Sequence, residues 1–239
     1  MFILFPFITR GIDPCIMEQN LIDAMEKRHS VRKYNSVPIP SDVVKTLREE
    51  IERCNVRGCL DMQLITDHPD AFDGIVSKVM KFSGVRNFII VTGHDDEGLH
   101  RRAGYYGEKI VLLAQSLGLN TCWSIPSPNH KKGGYDLKAG YKTVCMIAIG
   151  YGIDQGVPHK SKPMHELCEV EEPMPEWFRK GMEAAMLAPT SMHRQKFKVI
   201  LEDDGDVVVN PTGGRITRID AGIVERHFEL GAGKRLFHV

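Results

Sequence analysis

The sequence predicts a protein of mixed helices and strands, and three features carry that reading. Apolar residues recur at helical spacing along Tyr105–Leu117 and again along Glu176–Leu187. Near-continuous apolar runs at Asn87–Thr92 and Thr143–Ile149 have the length and composition of buried strands. Two further apolar segments, Lys196–Leu201 and Val207–Val209, flank Asp203-Asp204-Gly205-Asp206 as a hairpin flanks its turn.

In chain order, residues 1–16 read as a peripheral extension. The apolar start, Met1 to Ile8, is too short to span a bilayer and lacks the basic flank and small-residue cleavage site of a signal peptide. Glu18–Lys27 reads as a helix through Leu21, Ile22 and Met25. A basic stretch, Arg28 to Lys33, follows it, and Pro38 and Pro40 delay the next helix. That helix is expected to start with Ser41 as its N-cap and Val43, Val44, Leu47 and Ile51 as its buried stripe. Met62–Thr66 reads as a short strand. Gly118 is expected to cap the helix before it, and an acidic, proline-bearing boundary at Glu169–Pro175 precedes the helix from Glu176. A last helix is expected over 220–230. Two helix openings echo one another, Arg102-Ala103-Gly104 to Glu108 and Ile219-Asp220-Ala221-Gly222 to Glu225.

Composition narrows the function. Lys plus Arg and Asp plus Glu are both 31 in 239 residues, so no global field draws the chain to nucleic acid or an anionic membrane, and neither partner is expected. Any anion site must be a local cluster. The six cysteines form no CxxC pair and several lie in apolar runs, which predicts buried reduced thiols and a cytoplasmic location. No metal site is expected, because no pair of histidines or cysteines has ligand spacing beside a third ligand.

The local cluster is Arg28-His29-Ser30-Val31-Arg32-Lys33-Tyr34. In an extended chain Arg28, Ser30 and Arg32 share one side, and two guanidinium forks with a hydroxyl suit a phosphate. Lys160 and Lys162, in a second basic loop, are the expected opposite jaw. No side chain has the surroundings of an acid, base or nucleophile in its own right; Cys122 lacks a neighbouring histidine in sequence.

Four segments resemble the FMN-dependent nitroreductases. Arg28–Tyr34 is similar to the RRSVRxF opening of that family, and Gly118-Leu119-Asn120-Thr121-Cys122-Trp123 to its GLGTCW segment. Ile149-Gly150-Tyr151-Gly152 with Lys160–Leu167 resembles the closing strand and basic (K/R)xxxPLEEL stretch. Ala188-Pro189-Thr190-Ser191-Met192-His193-Arg194-Gln195 resembles APSxxNxQ, with His193 at the Asn position and Lys196 at the following Pro. The last segment usually follows the first within a few tens of residues; here it follows the basic Lys160–Lys162 loop. That order resembles the branch in which a second, partial nitroreductase half continues the same chain.

The resemblance implies an α+β class fold, an α/β/α sandwich with a mostly antiparallel central sheet, and FMN as cofactor. It implies one compact unit in which residues 17–173 form a first half and residues 174–239 complete the flavin site in cis, either as a monomer with an internal pseudo-dimer or as a homodimer. Arg28, His29, Ser30, Arg32, Lys160 and Lys162 are carried over toward the phosphate, and Ser124, Ile125, Pro189, Thr190, Ser191 and His193 toward the ring. NAD(P)H is the implied electron donor, and a nitro compound, quinone or similar small molecule the implied acceptor. With no GxGxxG opening a βαβ unit, no separate dinucleotide domain is expected. The alternative is a non-catalytic protein of the same fold, with or without flavin, motivated by His193 and Lys196 standing at the Asn and Pro positions.

Overall fold

The computed structural model describes residues 14–72, 79–124 and 134–237. The sequence expectations for residues 1–13, Ile125 and the His130–Gly133 loop lie outside them. Helix α1, Pro14–Lys27, starts ahead of the expected Glu18. Helix α2 spans Ser41–Gly58; Pro40 holds the N-cap position, one residue earlier than expected, and Ser41 is the first helical residue. Strands β1 (Leu60–Ile65) and β2 (Asn87–His94) lead to helix α3 (Leu99–Ser116), then to strands β3 (Asn120–Ser124) and β4 (Tyr141–Gly150). A single helical turn, Met164–Leu167, and the two-residue strand β5 (Cys168–Glu169) close the first part. Helix α4 (Glu176–Ala185), strands β6 (Phe197–Leu201) and β7 (Val207–Pro211) and helix α5 (Arg215–Ala232) complete the chain.

The central sheet has the order β1-β2-β4-β3 and every pairing is antiparallel. The fold is the α+β arrangement expected. Strand β2 is apolar almost throughout because both its faces are covered. Ile89 and Val91 face α2 and α3 with Ile147 and Ile149, while Phe88 and Ile90 face the opposite way with Met146 and Ala148, against Val31, Tyr34, Phe72 and Val85. Each of these fully buried side chains contributes about 1.5–3 kcal/mol of transfer free energy. Val31 and Tyr34, inside the basic stretch, thus nail it under the sheet, and the Tyr34 hydroxyl donates to the Val31 carbonyl at 2.7 Å.

The second sheet joins β5 parallel to β6 and β6 antiparallel to β7, the hairpin read from the sequence. It leads into α5, which crosses α3 at backbone distance. A Cβ on Gly104 would lie 2.0 Å from the Ile219 carbonyl oxygen, and one on Gly222 would lie 2.0 Å from the Arg101 carbonyl oxygen. Each carbonyl sits three residues ahead of the opposing helix's own glycine, so the contact is reciprocal about an approximate two-fold. The two Ala-Gly openings that echo in the sequence are therefore the two sides of one helix crossing. The order of elements repeats as well: α2-β1-β2-α3 in the first part and α4-β6-β7-α5 in the second.

The cysteine expectation needs one correction. Cys54, Cys122, Cys145 and Cys168 are buried free thiols, but Cys59 is exposed, because it ends α2 in a left-handed turn at φ 49°. Among the described residues no helix is long and apolar enough to cross a membrane.

The crossing predicts a sharp contrast between glycines. Gly104→Ala should cost at least about 2 kcal/mol in denaturant unfolding, since its Cβ meets rigid backbone. Gly98→Ala, whose Cβ would meet the side-chain tip of Arg102 and not backbone, should cost less than Gly104→Ala in the same measurement.

Candidate anion and cofactor site

The site is built where the basic stretch leaves α1. Arg28 still bonds back into the helix, its N–H donating to the Ala24 carbonyl at 2.9 Å. Ser30 then pairs with Thr121 of β3 in a parallel bridge, and the Val31 N–H donates to the Thr121 carbonyl at 3.1 Å. Alternation along this extended run sends Val31 into the core and its neighbours to the other side. The Cys122 thiol marks where they meet: Arg32 and Arg28 both act on it electrostatically and the Ser30 hydroxyl hydrogen-bonds it, although burial still raises its pKa. The convergence of Arg28, Ser30 and Arg32 expected from the sequence is thus present.

Arg28 is buried, and its Nε has no hydrogen-bond partner. Glu108 of α3 lies 3.9 Å from that nitrogen. Burial lowers the Arg28 pKa and Glu108 partly restores it. The carboxylate of Glu108 is fully buried; it accepts from the Trp123 indole N–H at 3.0 Å and meets His227 Nε2 of α5 at 2.9 Å. Trp123 packs over Gly107, where any side chain would strike its ring.

A second wall is the segment from Gly156 to Lys162. Gly156 has φ +72°, and a Cβ there would lie 2.8 Å from the Cβ of His29, so glycine is what lets this loop close on the basic stretch. His159 contacts the Met186 carbonyl through Nε2 at 3.0 Å, and its ring stacks on His193 with centroids 5.6 Å apart and planes 17° apart. Burial lowers the pKa of His29, His159 and His193, and Arg28 lowers each further. The positive potential of the two guanidinium groups and burial both oppose protonation of these three imidazoles.

The third wall is Ala188–Gln195. Ser191 donates from both its backbone N–H (3.0 Å) and its hydroxyl (2.9 Å) to one oxygen of Asp220 in the first turns of α5. Gln195, almost fully buried, joins the second and third walls: its side-chain oxygen accepts from the Lys162 N–H at 2.7 Å, and its amide donates to the Ser161 hydroxyl at 2.8 Å. Met192 and His193 both have φ 55°, and Gln195 has φ 45°. Asn and His are among the few side chains enriched in this left-handed region. His193 therefore meets the same backbone demand as the Asn of the resembling pattern.

The structure brings His193 of the third wall to the basic stretch, where Arg32 and Arg28 act on it electrostatically; Pro189 is buried and Thr190 and Ser191 are half-buried. Ser124 stands on the same face of β3 as Cys122, with its hydroxyl 3.7 Å from the Met80 sulfur. Lys160 is exposed, and the Lys162 ammonium lies 3.5 Å from the Gln195 carbonyl; the loop reaches the cleft through His159. Five residues of the site were not singled out by sequence: Glu108, His159, Gln195, Asp220 and His227. Only Glu108 had a local signal, as a carboxylate on an otherwise apolar helix face. Among the described residues, no group of three or more His, Cys, Asp or Glu is placed to hold a metal ion.

Burial raises the Asp220 carboxyl to about 6, against the opposing pull of its two Ser191 hydrogen bonds. A carboxyl raised in the folded state binds its proton more tightly there than in the unfolded chain, so folding stability falls as pH rises from about 4 to about 6. Asp220→Asn keeps an acceptor for Ser191 and removes this charge. It should raise stability at pH 7 by about 1–3 kcal/mol, and the gain should vanish below about pH 4, read from urea melts across that range.

A family model described as "Putative TM nitroreductase" matches residues 20–232. Among curated proteins, none matches the chain. The crystal structure of a putative nitroreductase from Thermotoga maritima superposes with a TM-score of 0.64 at 20% identity, covering 97% of this chain and 88% of that one. A putative nitroreductase from Desulfovibrio desulfuricans, solved in complex with FMN, gives a TM-score of 0.51 at 18% identity and covers 69% of this chain but 100% of its own. A nitroreductase-like protein from Streptococcus mutans behaves likewise, with a TM-score of 0.53, 14% identity, and coverage of 64% of this chain and 99% of its own. Two complete relatives thus fit within about two thirds of this chain, while the Thermotoga protein extends over nearly all of it. With the family match spanning both helix-strand-strand-helix runs, the chain belongs to the nitroreductase family.

Proposed function

We propose that the protein is an FMN-dependent oxidoreductase of nitroreductase type, and that one chain holds one flavin between its two halves. The observation that carries this reading is the approach of His193, in the second half, to Arg28 and Arg32 of the basic stretch in the first. A buried guanidinium with an unpartnered Nε, a second guanidinium and a hydroxyl fit a phosphate. The complex of the Desulfovibrio protein with FMN supports the choice of flavin.

In this reading Arg28, Ser30 and Arg32 hold the phosphate, with His29 beside them. The basic loop of Lys160 and Lys162 adds positive charge at the rim. Pro189, Thr190, Ser191 and His193, together with Ser124 and Ile125, orient the ring, and Asp220 keeps the Ser191 backbone in register. When bound, FMN supplies the redox chemistry, taking a hydride from NAD(P)H and passing electrons to a nitro, quinone or similar acceptor. The protein's part is to orient that ring, exclude water from it and supply donors around its edge.

The internal repeat supports a division of labour between residues 17–173 and 174–239 within one compact unit. Reciprocal packing of α3 on α5 is what a two-fold dimer would place at its axis, here made by one chain. Only the first half carries the basic stretch, so one cleft and not two would be complete. The left-handed backbone at His193 supports the flavin-binding reading over the flavin-free one, because it accounts for the departure from Asn on conformational grounds.

The purified protein should show an absorbance band near about 450 nm from bound flavin, retained on desalting, and should oxidise NADH or NADPH when a quinone or nitro compound is supplied. The Arg28→Ala, Arg32→Ala double variant should fold and lose the band. A colourless parent that also fails to take up added FMN would overturn the assignment, and a yellow protein inert toward both nucleotides would overturn the enzymatic part alone.

A further inference from the structure

Proton bookkeeping around Glu108 shows that its negative charge is already cancelled. His227 is fully buried, with Nδ1 3.2 Å from the Ala184 carbonyl and Nε2 2.9 Å from Glu108 Oε1. A carbonyl oxygen only accepts, so Nδ1 carries a proton. Glu108 Oε2 faces the Trp123 indole nitrogen, which only donates, so a proton on the carboxyl could sit only on Oε1, toward His227. The 2.9 Å contact must contain one proton. Whichever atom holds it, the pair has no net charge. Glu108 and Cys122 act electrostatically on Arg28, and Arg28 and His227 act on His159. Neither His159 nor Cys122 is an anion that would compensate Arg28, since burial raises the Cys122 thiol.

Arg28 is therefore not half of a closed ion pair. Its Nε lies 3.9 Å from Glu108, beyond hydrogen-bond distance, and that carboxylate already takes protons from two other donors. A buried guanidinium without a counter-charge is costly, and an anion arriving from outside would relieve it. We propose that Glu108 and His227, sharing one proton, form a self-neutralised pair that leaves Arg28 as an uncompensated cation, and that this makes Arg28 the anchor for a phosphate group. Both are positioning residues. His227 belongs to the second half of the chain and Arg28 to the first, so the second half sets the charge of the anion cleft without touching its ligand. The phosphate here is that of FMN, so the inference rests on the flavin reading.

The test separates the two. In FMN titrations followed by flavin fluorescence, His227→Gln should bind about tenfold more weakly, because an uncompensated Glu108 then faces the phosphate across Arg28. Glu108→Gln should bind as tightly as the parent or more tightly, since it removes that negative charge. Opposite behaviour of the two variants supports the inference. Equal weakening in both overturns it, and where His227→Gln fails to fold, His227→Asn is read in its place. A parent that binds no FMN overturns the flavin reading instead. The same two variants are then ranked by thermal stabilisation with inorganic phosphate, where the absence of that ranking overturns the charge argument as well.

Discussion

The backbone contact between α3 and α5 is the constraint on which the rest of the molecule depends. Gly104 and Gly222 each remove a side chain where the opposing helix presents a carbonyl, and only that absence lets the helices approach so closely. Close approach places Glu108 of α3 within hydrogen-bond distance of His227 of α5, and sets Tyr105 against Glu229 at 2.5 Å. It also fixes the start of α5, from which Asp220 reaches Ser191. The cleft is thus assembled by a helix crossing that itself lies behind it.

Polar groups at the crossing are nearly all buried and nearly all paired, which is what a low-dielectric interior demands. Glu225 meets Arg101, Glu229 accepts from the Leu236 and Phe237 N–H groups, and Glu108 meets Trp123 and His227. The exceptions deserve weight for that reason. Glu225 Oε2 and Arg226 Nε are unpartnered on α5 itself, and an unpartnered Arg28 Nε and three left-handed residues in Met192–Gln195 occur at the candidate site. Backbone held in sparsely populated regions persists where its surroundings over-determine it, and such positions concentrate at binding sites. Here Asp220, Thr190 and Gln195 supply that determination through hydrogen bonds to the segment itself.

Pseudo-symmetry gives the second half a specific job. It repeats the helix-strand-strand-helix order without the basic stretch, so it reproduces the frame of the first half and not its anion jaw. What it adds is the Ala188–Gln195 segment, inserted between α4 and β6, the place where the first half has only the short Gly58-Cys59 turn between α2 and β1. Divergence of the two halves at this one connection is enough to turn a symmetric frame into a single asymmetric cleft.

Sequence alone determined the elements whose signal is local. The strands β2 and β4 were legible because burial on both faces demands unbroken apolar runs, and α3 and α4 because one buried face demands helical periodicity. The side shared by Arg28, Ser30 and Arg32 followed from alternation in an extended chain. The β6-β7 hairpin followed from its acidic glycine turn. Motifs likewise carried the family and the cleft's first and third walls. What only the tertiary structure decided were contacts between residues more than a hundred positions apart, Glu108 with His227 and Gly104 with Ile219, and the hydrogen bond from Trp123 to Glu108. Asp220 was silent for the same reason. A buried carboxylate or amide is chosen by the partner it meets in space, and nothing in its own neighbourhood along the chain records which partner that will be.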